Sequence, residues 1–412
     1  MKSTVLFSSI VMIVLSVSAR AQQPDPLTLD RVVALYMDRN LQLQAARYRV
    51  ERTRADEVAA RLRPNPSLSL TAENLRLSGP ASSGRLNEFG IAYAETIELG
   101  GKRDLRMRIA DASVSAAESQ LADTMRKGIA EVKHLYLDAL LTRYNVEVAM
   151  ENRQTFEQLL QVNLARFQEG RIAEADLIKV RLERIKFDSA VKQADLDLRR
   201  ATIRLLDHLG ASTFATQQLL GELDTALGVP DISMLRAIAL EERADILQAQ
   251  RELDAANYRF ALEQARSHPD ILPFAGYKRL ASDNTVMFGV SIPLKTHDHN
   301  EAGIARAQSD QKIATAQLEI ARNHALAEVE SAYAAFQTAR EQVQTFRNEL
   351  LEQAEDSRSI ALAAYEEGAT PLLPVLEAQR TRAEVRQQYF RTLFDYQTSL
   401  VDLELAIGKD LQ

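Results

Sequence analysis

The chain of 412 residues contains no cysteine. Disulfides and thiolate metal sites are therefore excluded, and so is the lipidated cysteine that tethers many exported proteins. Long hydrophobic runs are scarce as well. Past the first 21 residues no stretch reaches the roughly 18 apolar residues of a spanning helix, so any membrane entry must use strands. Positive charge is not in excess: the formal net charge is −7, and removing Lys2 and Arg20 with the leader described below takes it to −9. That balance gives a nucleic-acid role no electrostatic support. Aromatic residues amount to 6%, which fits a thin-walled, elongated assembly better than a thick core. Catalytic signatures are missing too. The six histidines are scattered and neither Gly-x-Ser-x-Gly nor His-Glu-x-x-His occurs, so the sequence points to no enzyme and to no cofactor.

What is present begins with a leader and a repeat. Lys2, the apolar run 5–17 and the small-residue pattern Ala19-Arg20-Ala21 read as a secretory signal spanning 1–21, cleaved before Gln22. Residues 166–210 lie over 364–408 without a gap at an offset of 198, so that Glu169 meets Glu367, Gly170 meets Gly368, Arg184 meets Arg382 and Gly210 meets Gly408. At an offset of 205, Arg31, Ala34, Leu35 and Pro64 fall on Arg236, Ala239, Leu240 and Pro269; Phe89-Gly90-Ile91 answers Phe288-Gly289-Val290 at 199. Two repeats follow, 22–210 and 231–412, joined by an equatorial linker at 211–230. Repeat units of this kind bury their apolar faces against each other and against further copies.

Each repeat is mostly helical in pattern. Residues 102–168 hold no proline and one internal glycine, Gly128, and are dense in good helix formers, enough for about 100 Å of helix. Residues 301–366 repeat the pattern. Both runs end in Glu-Gly before a second helical stretch of roughly 35–40 residues, which predicts two long antiparallel hairpins turning at Gly170 and Gly368. The first returning helix sets Ile178, Leu182, Ile185, Val191, Ala194, Leu198, Ala201 and Leu205 on an expected coiled-coil-like seam. Four segments break the helical rule: 67–77, the stretch around Phe89, Ile91 and Tyr93, and 285–294 alternate, while 271–280 is mixed but aromatic. They predict two strand hairpins of spanning length, connected at 79–84 and 281–284, with Tyr93, Phe274 and Tyr277 at interfacial positions. A soluble ribbon on a periplasmic coiled-coil scaffold is the competing reading. Four strands cannot close a membrane barrel, two chains would give a filled one, and three give twelve strands around a lumen.

The order helix, strand hairpin, long helical hairpin, given twice, together with Arg166-Phe167-Gln168-Glu169-Gly170 and Tyr365-Glu366-Glu367-Gly368, resembles the TolC family of outer-membrane efflux ducts. The stretch Glu95-Thr96-Ile97-Glu98-Leu99-Gly100-Gly101-Lys102-Arg103 is similar to its CzcC branch, the outer-membrane components of cobalt, zinc and cadmium efflux. The resemblance implies a mainly α fold with a membrane β-barrel portion: a homotrimer sharing a 12-stranded barrel in outer-membrane lipid, continued by a periplasmic helical tunnel. It also implies a passive duct for heavy-metal cations, fed by a periplasmic adaptor and an inner-membrane resistance-nodulation-division pump. Export of drugs or small organic molecules, or type I secretion, is the alternative within the family. By the family pattern, acids just past the turns ring the entrance. Counting from the turn glycines gives Asp176 and Glu377, while Pro374 stands where a further acid would fall; Arg166, Arg171 and Lys179 are cations near the first turn. The turns themselves, Glu169-Gly170-Arg171 and Glu367-Gly368-Ala369, are the expected adaptor contacts.

Three local features complete the reading. Gly100-Gly101-Lys102-Arg103 lacks the residues of a phosphate loop and reads as a strand-to-helix bend. Lys102, Arg103, Arg106 and Arg108 then gather at the barrel rim, where lipid phosphates or anionic neighbours are expected to offset four cations at a positive helix end. His297-Asp298-His299 carries borderline metal-ligand types, but at a helix start where Asp298 or Asn300 is expected to cap, so no metal site is assigned. His134 and Asp138 share a helix face, where a mutual salt bridge or hydrogen bond is expected.

Overall fold

The computed structural model describes residues 26–75, 87–211, 219–223, 228 and 231–411. The expected leader, the 79–84 connection and most of the 211–230 linker lie outside them. Within them the same order of elements occurs twice. The first set is α1 (Leu29–Arg39), α2 (Leu41–Arg61), β1 (Ser67–Glu73), β2 (Glu88–Ala94), α3 (Lys102–Gln168) and α4 (Glu174–His208). The second is α5 (Ile232–Glu242), α6 (Ala244–Arg266), β3 (Leu272–Leu280), β4 (Asp283–Ser291), α7 (Glu301–Thr345), α8 (Leu351–Glu366) and α9 (Leu372–Ile407). A π turn, Phe346–Leu350, joins α7 to α8, and neither proline nor glycine marks it in the sequence. The break between α1 and α2 at Asn40 corresponds to the one between α5 and α6 at Arg243, a separation of 203. The 205 offset therefore holds at the strand entry but not in these first helices, where buried Val32 and Tyr36 answer buried Leu235 and Ala239.

The four strands form one antiparallel sheet in the order β1-β2-β3-β4. Its register pairs Leu68 with Tyr93, Leu70 with Ile91, Ile91 with Tyr277 and Tyr277 with Val286, so one face carries an unbroken apolar band that Phe89, Phe288 and Val290 extend. These side chains are exposed in the protomer. The other face presents Ser67, Ser69, Thr71, Glu88, Gly276, Lys278 and Gly289, mostly small or polar, together with Phe274, Leu280 and Met287, so Phe274 packs over Gly289 on this face and does not join Tyr93 and Tyr277 on the apolar one. The ladders are seven and nine residues long, shorter than the alternation suggested. Asn74 takes a positive φ of 59° and ends β1; Pro293, which has no N–H to donate, follows the end of β4.

Away from the sheet the helices form a wall. Near the strands α2 lies on α3, α3 on α6 and α6 on α7; farther away α4 lies on α3, α3 on α9 and α9 on α8. The main core sits between these levels, where α1 and α5 cover the ends of α4 and α9 and bury Val32, Leu140, Leu205, Leu235, Phe336 and Leu403. Helix ends there are satisfied in pairs. Asn40 Nδ2 donates to the His208 carbonyl at 2.8 Å and Arg243 Nη1 to the Ala406 carbonyl at 2.9 Å, two carbonyls related by the 198 repeat. Arg243 is 2% exposed and also holds Asp245 at 2.6 Å and Glu328 at 2.5 Å. Burial alone would push the Asp245 carboxyl up, but the Arg243 hydrogen bonds and charge outweigh it and hold it below the usual carboxylate range.

The expected seam on α4 is correct only in its upper part. Val191, Ala201 and Leu205 are buried, whereas Ile178, Leu182 and Ile185 are exposed and Leu177 and Val180 take the interior. The turn fixes where α4 starts, and one residue of phase rotates a helical face by about 100°. Removing Arg243 leaves two carboxylates without their buried partner, so Arg243→Ala should destabilise the protein by about 3 kcal/mol, the low end for a broken buried pair because Glu328 is partly solvated. A clear drop in the thermal midpoint is the expected result. An unchanged midpoint would remove this joint from the account.

Candidate functional site: the hairpin tips

Both turns are built as the glycines require. Gly170 has φ 72° and Gly368 φ 77°, the left-handed region open to glycine. Gly170 N donates to the Phe167 carbonyl at 2.9 Å and Arg171 N to that of Arg166 at 2.9 Å; Gly368 and Ala369 make the same bonds to Tyr365 and Ala364 at 3.0 and 2.8 Å. These are Schellman ends, which satisfy the last carbonyls of each long helix. A Cβ at either glycine meets nothing within 4 Å, so glycine is needed here for backbone angle and not for space.

The two tips are also joined to each other. Arg166 reaches from α3 to the end of α8, donating to the Tyr365 and Glu366 carbonyls at 3.3 and 3.1 Å, with its guanidinium 4.5 Å from the Tyr365 ring centre. The Tyr365 hydroxyl donates to Asn163 Oδ1 at 2.5 Å, and Asn163 is fully buried. Around them Phe156, Leu160, Leu177, Val180, Leu372 and Val375 form a second apolar cluster. Asn163 was not singled out by sequence, and Tyr365 entered only as the first residue of the second turn motif. The signal was a repeat position where the halves differ: Arg166-Phe167 lies over Ala364-Tyr365, and it is the unlike residues that meet across the seam.

The proposed entrance acids are arranged unequally. Asp176 stands in the first turn of α4, 3.1 Å from Lys179. Glu377 is exposed in the second turn of α9, beyond the reach of a first-turn cap, and α9 has no acid in its first turn. Of the three nearby cations, Arg166 is committed to the other hairpin and Arg171 to Glu169 at 2.9 Å, which leaves Lys179 as the one beside an entrance acid.

At the other end of the wall the rim cluster is corrected. Lys102 is not available to lipid: its side chain is buried, with Nζ 2.7 Å from both Asp270 Oδ1 and the His268 carbonyl. Arg106 pairs with Glu98, Arg108 with Asp104 at 2.9 Å, and Arg103 Nε donates to the Arg61 carbonyl at 2.9 Å. The anionic neighbours that a cationic helix start needs come from the chain itself. Burial would raise the Asp270 carboxyl, but the Lys102 bond and the Leu99 N–H hold it low. Among the described residues no group of three or more His, Asp or Glu side chains is arranged to hold a metal. At His297-Asp298-His299, Asp298 accepts from Asn300 N at 2.7 Å and His299 Nδ1 lies 3.3 Å from Glu301. Asn300 does not cap with its side chain, which turns to Glu263 at 2.7 Å. His134 and Asp138 take separate partners, Asp402 at 2.9 Å and Arg204 at 2.6 Å, instead of each other.

A four-stranded apolar-faced sheet on a wall of paired long hairpins has close counterparts. The sequence profile of the family "Outer membrane efflux protein" matches residues 33–211 and 235–409. The chain belongs to this family. It is 26% identical over 392 residues to the cobalt-zinc-cadmium resistance protein CzcC of Cupriavidus metallidurans, covering 93% of this chain and 90% of that one. It is 27% identical over 290 residues to the nickel and cobalt resistance protein CnrC of the same organism, covering 69% and 68%. Among solved structures a CusC channel superposes with a TM-score of 0.78 at 20% identity, covering 92% of each chain, which establishes the fold. The chain is thus an outer-membrane efflux channel protein, and its hairpin tips are the end of the fold farthest from the strands.

Tyr365→Phe tests the join between the tips. It leaves the buried Asn163 carbonyl oxygen without its donor at a cost of about 1–3 kcal/mol, so amide exchange at 363–369 should speed by at least about fivefold. Unchanged protection there would show that the Tyr365–Asn163 bond does not hold the second turn.

Proposed function

We propose that this protein is the outer-membrane duct of a tripartite efflux assembly for heavy-metal cations, working as a homotrimer with one shared twelve-stranded barrel. The observation that carries the reading is the sheet. Its apolar face runs across all four strands while β1 and β4 are both left at an edge, an arrangement hydrocarbon accepts only when further copies close it. The helical wall supports the same closure. On the β1 side α2 exposes Leu41, Tyr48 and Val58, and α4 exposes Ile178, Leu182 and Ile185; on the β4 side α7 exposes Ile313 and Ile320, and α8 exposes Ile360. Unlike edges meeting head to tail make a ring, and the barrel sets its number at three.

Substrate is delivered from an inner-membrane resistance-nodulation-division pump through a periplasmic adaptor that docks on Glu169-Gly170-Arg171 and Glu367-Gly368-Ala369. The resistances named for CzcC and CnrC support metal cations as cargo. So does the placement of Asp176 and Glu377 near the tips, where three-fold repetition would make a carboxylate ring that favours cations. Deleting the gene should sensitise the host to cobalt, zinc, cadmium or nickel. The wild-type gene should restore resistance, whereas Gly170→Val and Gly368→Val should not, although their trimers persist in the outer membrane. Sensitisation to organic compounds alone would overturn the metal assignment.

The entrance acids have their own test. In planar bilayers Asp176→Asn with Glu377→Gln should lower the cation-to-anion permeability ratio and weaken block by divalent cations. Asp176→Asn alone should do less, since Lys179 already offsets that charge. Identical selectivity and block in the double variant would make both acids surface residues.

A further inference from the structure

One face of the wall carries a groove that none of the roles above uses. Lying over α3 between α4 and α9, it encloses about 730 Å³, within the size range of small-molecule sites. Asn145, Asn152 and Val148 belong to its floor, Gln193 and Arg200 to the α4 wall, and Glu384 and Gln387 to the α9 wall. The groove faces away from the 219–221 segment. Arg143 donates to the Leu219 and Gly221 carbonyls at 2.8 and 2.9 Å, and it stands about 200° around α3 from Asn145. Inside a closed ring, the added layer of that segment, α1 and α5 would obstruct the passage. That layer is therefore external, and the groove opens on the lumen.

Its floor is built against stability. Oδ1 of Asn145 and Oδ1 of Asn152 are buried without a hydrogen-bond partner, and Asn152 is only 5% exposed. An acceptor left unpaired in this way destabilises the fold. Helix packing does not demand it: counted back from the turn glycines, the same two places in the second repeat hold Val343 and Leu350. On the walls several charges are committed, Asp138 to Arg204 at 2.6 Å and Arg391 to Asp395 at 3.1 Å. Two others remain available. Glu384 has no ion pair among the described residues, and Arg200 stands 3.8 Å from Asp197, beyond hydrogen-bond reach.

These groups complement the middle and the two ends of a short peptide. A carboxamide both donates and accepts, so Asn145 and Asn152 can pair with peptide N–H and C=O alike. They are seven residues apart, about 10 Å along α3, which is the reach of about three extended residues. The Glu384 carboxylate on one wall suits an ammonium, and the Arg200 guanidinium on the opposite wall suits a carboxylate. A bare metal ion is poorly served. Four arginines line the groove, and among the described residues no three His, Asp or Glu side chains are grouped to hold a metal.

We propose that this groove is a lumenal contact site for short zwitterionic peptides, a class of cargo beyond the metal cations. The proposal rests on the duct reading for its lumenal position. Weak binding is what such a site needs, because cargo held tightly would not leave.

Saturation-transfer NMR on the purified protein, with trialanine as the probe, tests it; acetate and methylammonium are the controls for each end charge alone. Trialanine should bind at least about fivefold more tightly than either control. Asn145→Leu with Asn152→Leu should weaken it at least about fivefold, the loss of two hydrogen-bonded amides, while the thermal midpoint does not fall. A second variant probes the wall: acetylating the peptide's amino group should weaken binding to the parent and make no difference to Glu384→Gln. A parent that holds trialanine no better than acetate, a leucine variant that binds it as the parent does, or an acetylation effect that persists in Glu384→Gln overturns the site. Binding is read here without transport, so each of these failures leaves the metal duct standing. Protein that binds trialanine as expected but restores no metal resistance keeps the site and loses the metal assignment.

Discussion

Unpaired backbone at the two ends of an apolar-faced sheet is the constraint on which the rest of this molecule depends. The N–H and C=O groups along the free sides of β1 and β4 have no water to turn to in hydrocarbon, and each left unsatisfied costs several kilocalories per mole. A protomer cannot solve this alone. The wall repeats the problem at two further heights, with α2 and α4 at one margin and α7 and α8 at the other, each showing apolar side chains that the protomer leaves uncovered. One head-to-tail contact between copies covers all three levels.

Duplication supplies the parts of this wall, and departures from duplication supply its cross-links. Equivalent carbonyls at His208 and Ala406 are satisfied by unlike residues, Asn40 in one repeat and Arg243 in the other. The long helices start and turn alike, but Arg166 falls on Ala364 and Tyr365 carries a hydroxyl that its counterpart Phe167 lacks, and these are the groups that join the tips. The asymmetric residues give the second hairpin a fixed position on the first.

Much of the architecture was legible because it rests on local rules. The proline-free run matched both ends of α3, the glycines announced their left-handed turns, and alternation revealed β1, β2 and β4, while β3 stood out only as a mixed, aromatic segment. What the sequence hid depends on partners far along the chain. Lys102 looked like a lipid contact because Asp270, its partner, is 168 residues away. Ile178, Leu182 and Ile185 looked like interior because periodicity finds a stripe without saying what lies opposite it, and the turn geometry chose Leu177 and Val180 instead. The tip join escaped for the same reason, since neither Asn163 nor Tyr365 is unusual until the two hairpins are brought together. The π turn at Phe346–Leu350 has no signal in the sequence, and we have no physical account of it.

The shared barrel is the central claim, and its edges can be addressed directly because the chain has no cysteine of its own. With Leu70→Cys on β1 and Phe288→Cys on β4, both on the apolar face, a short bifunctional thiol reagent applied to protein in outer membranes should join β1 of one copy to β4 of the next. Denaturing gels should then show dimers and trimers and nothing larger, with single-cysteine controls staying monomeric. Monomers alone in the doubly substituted protein, or a ladder extending past three copies, would contradict the closed twelve-stranded barrel.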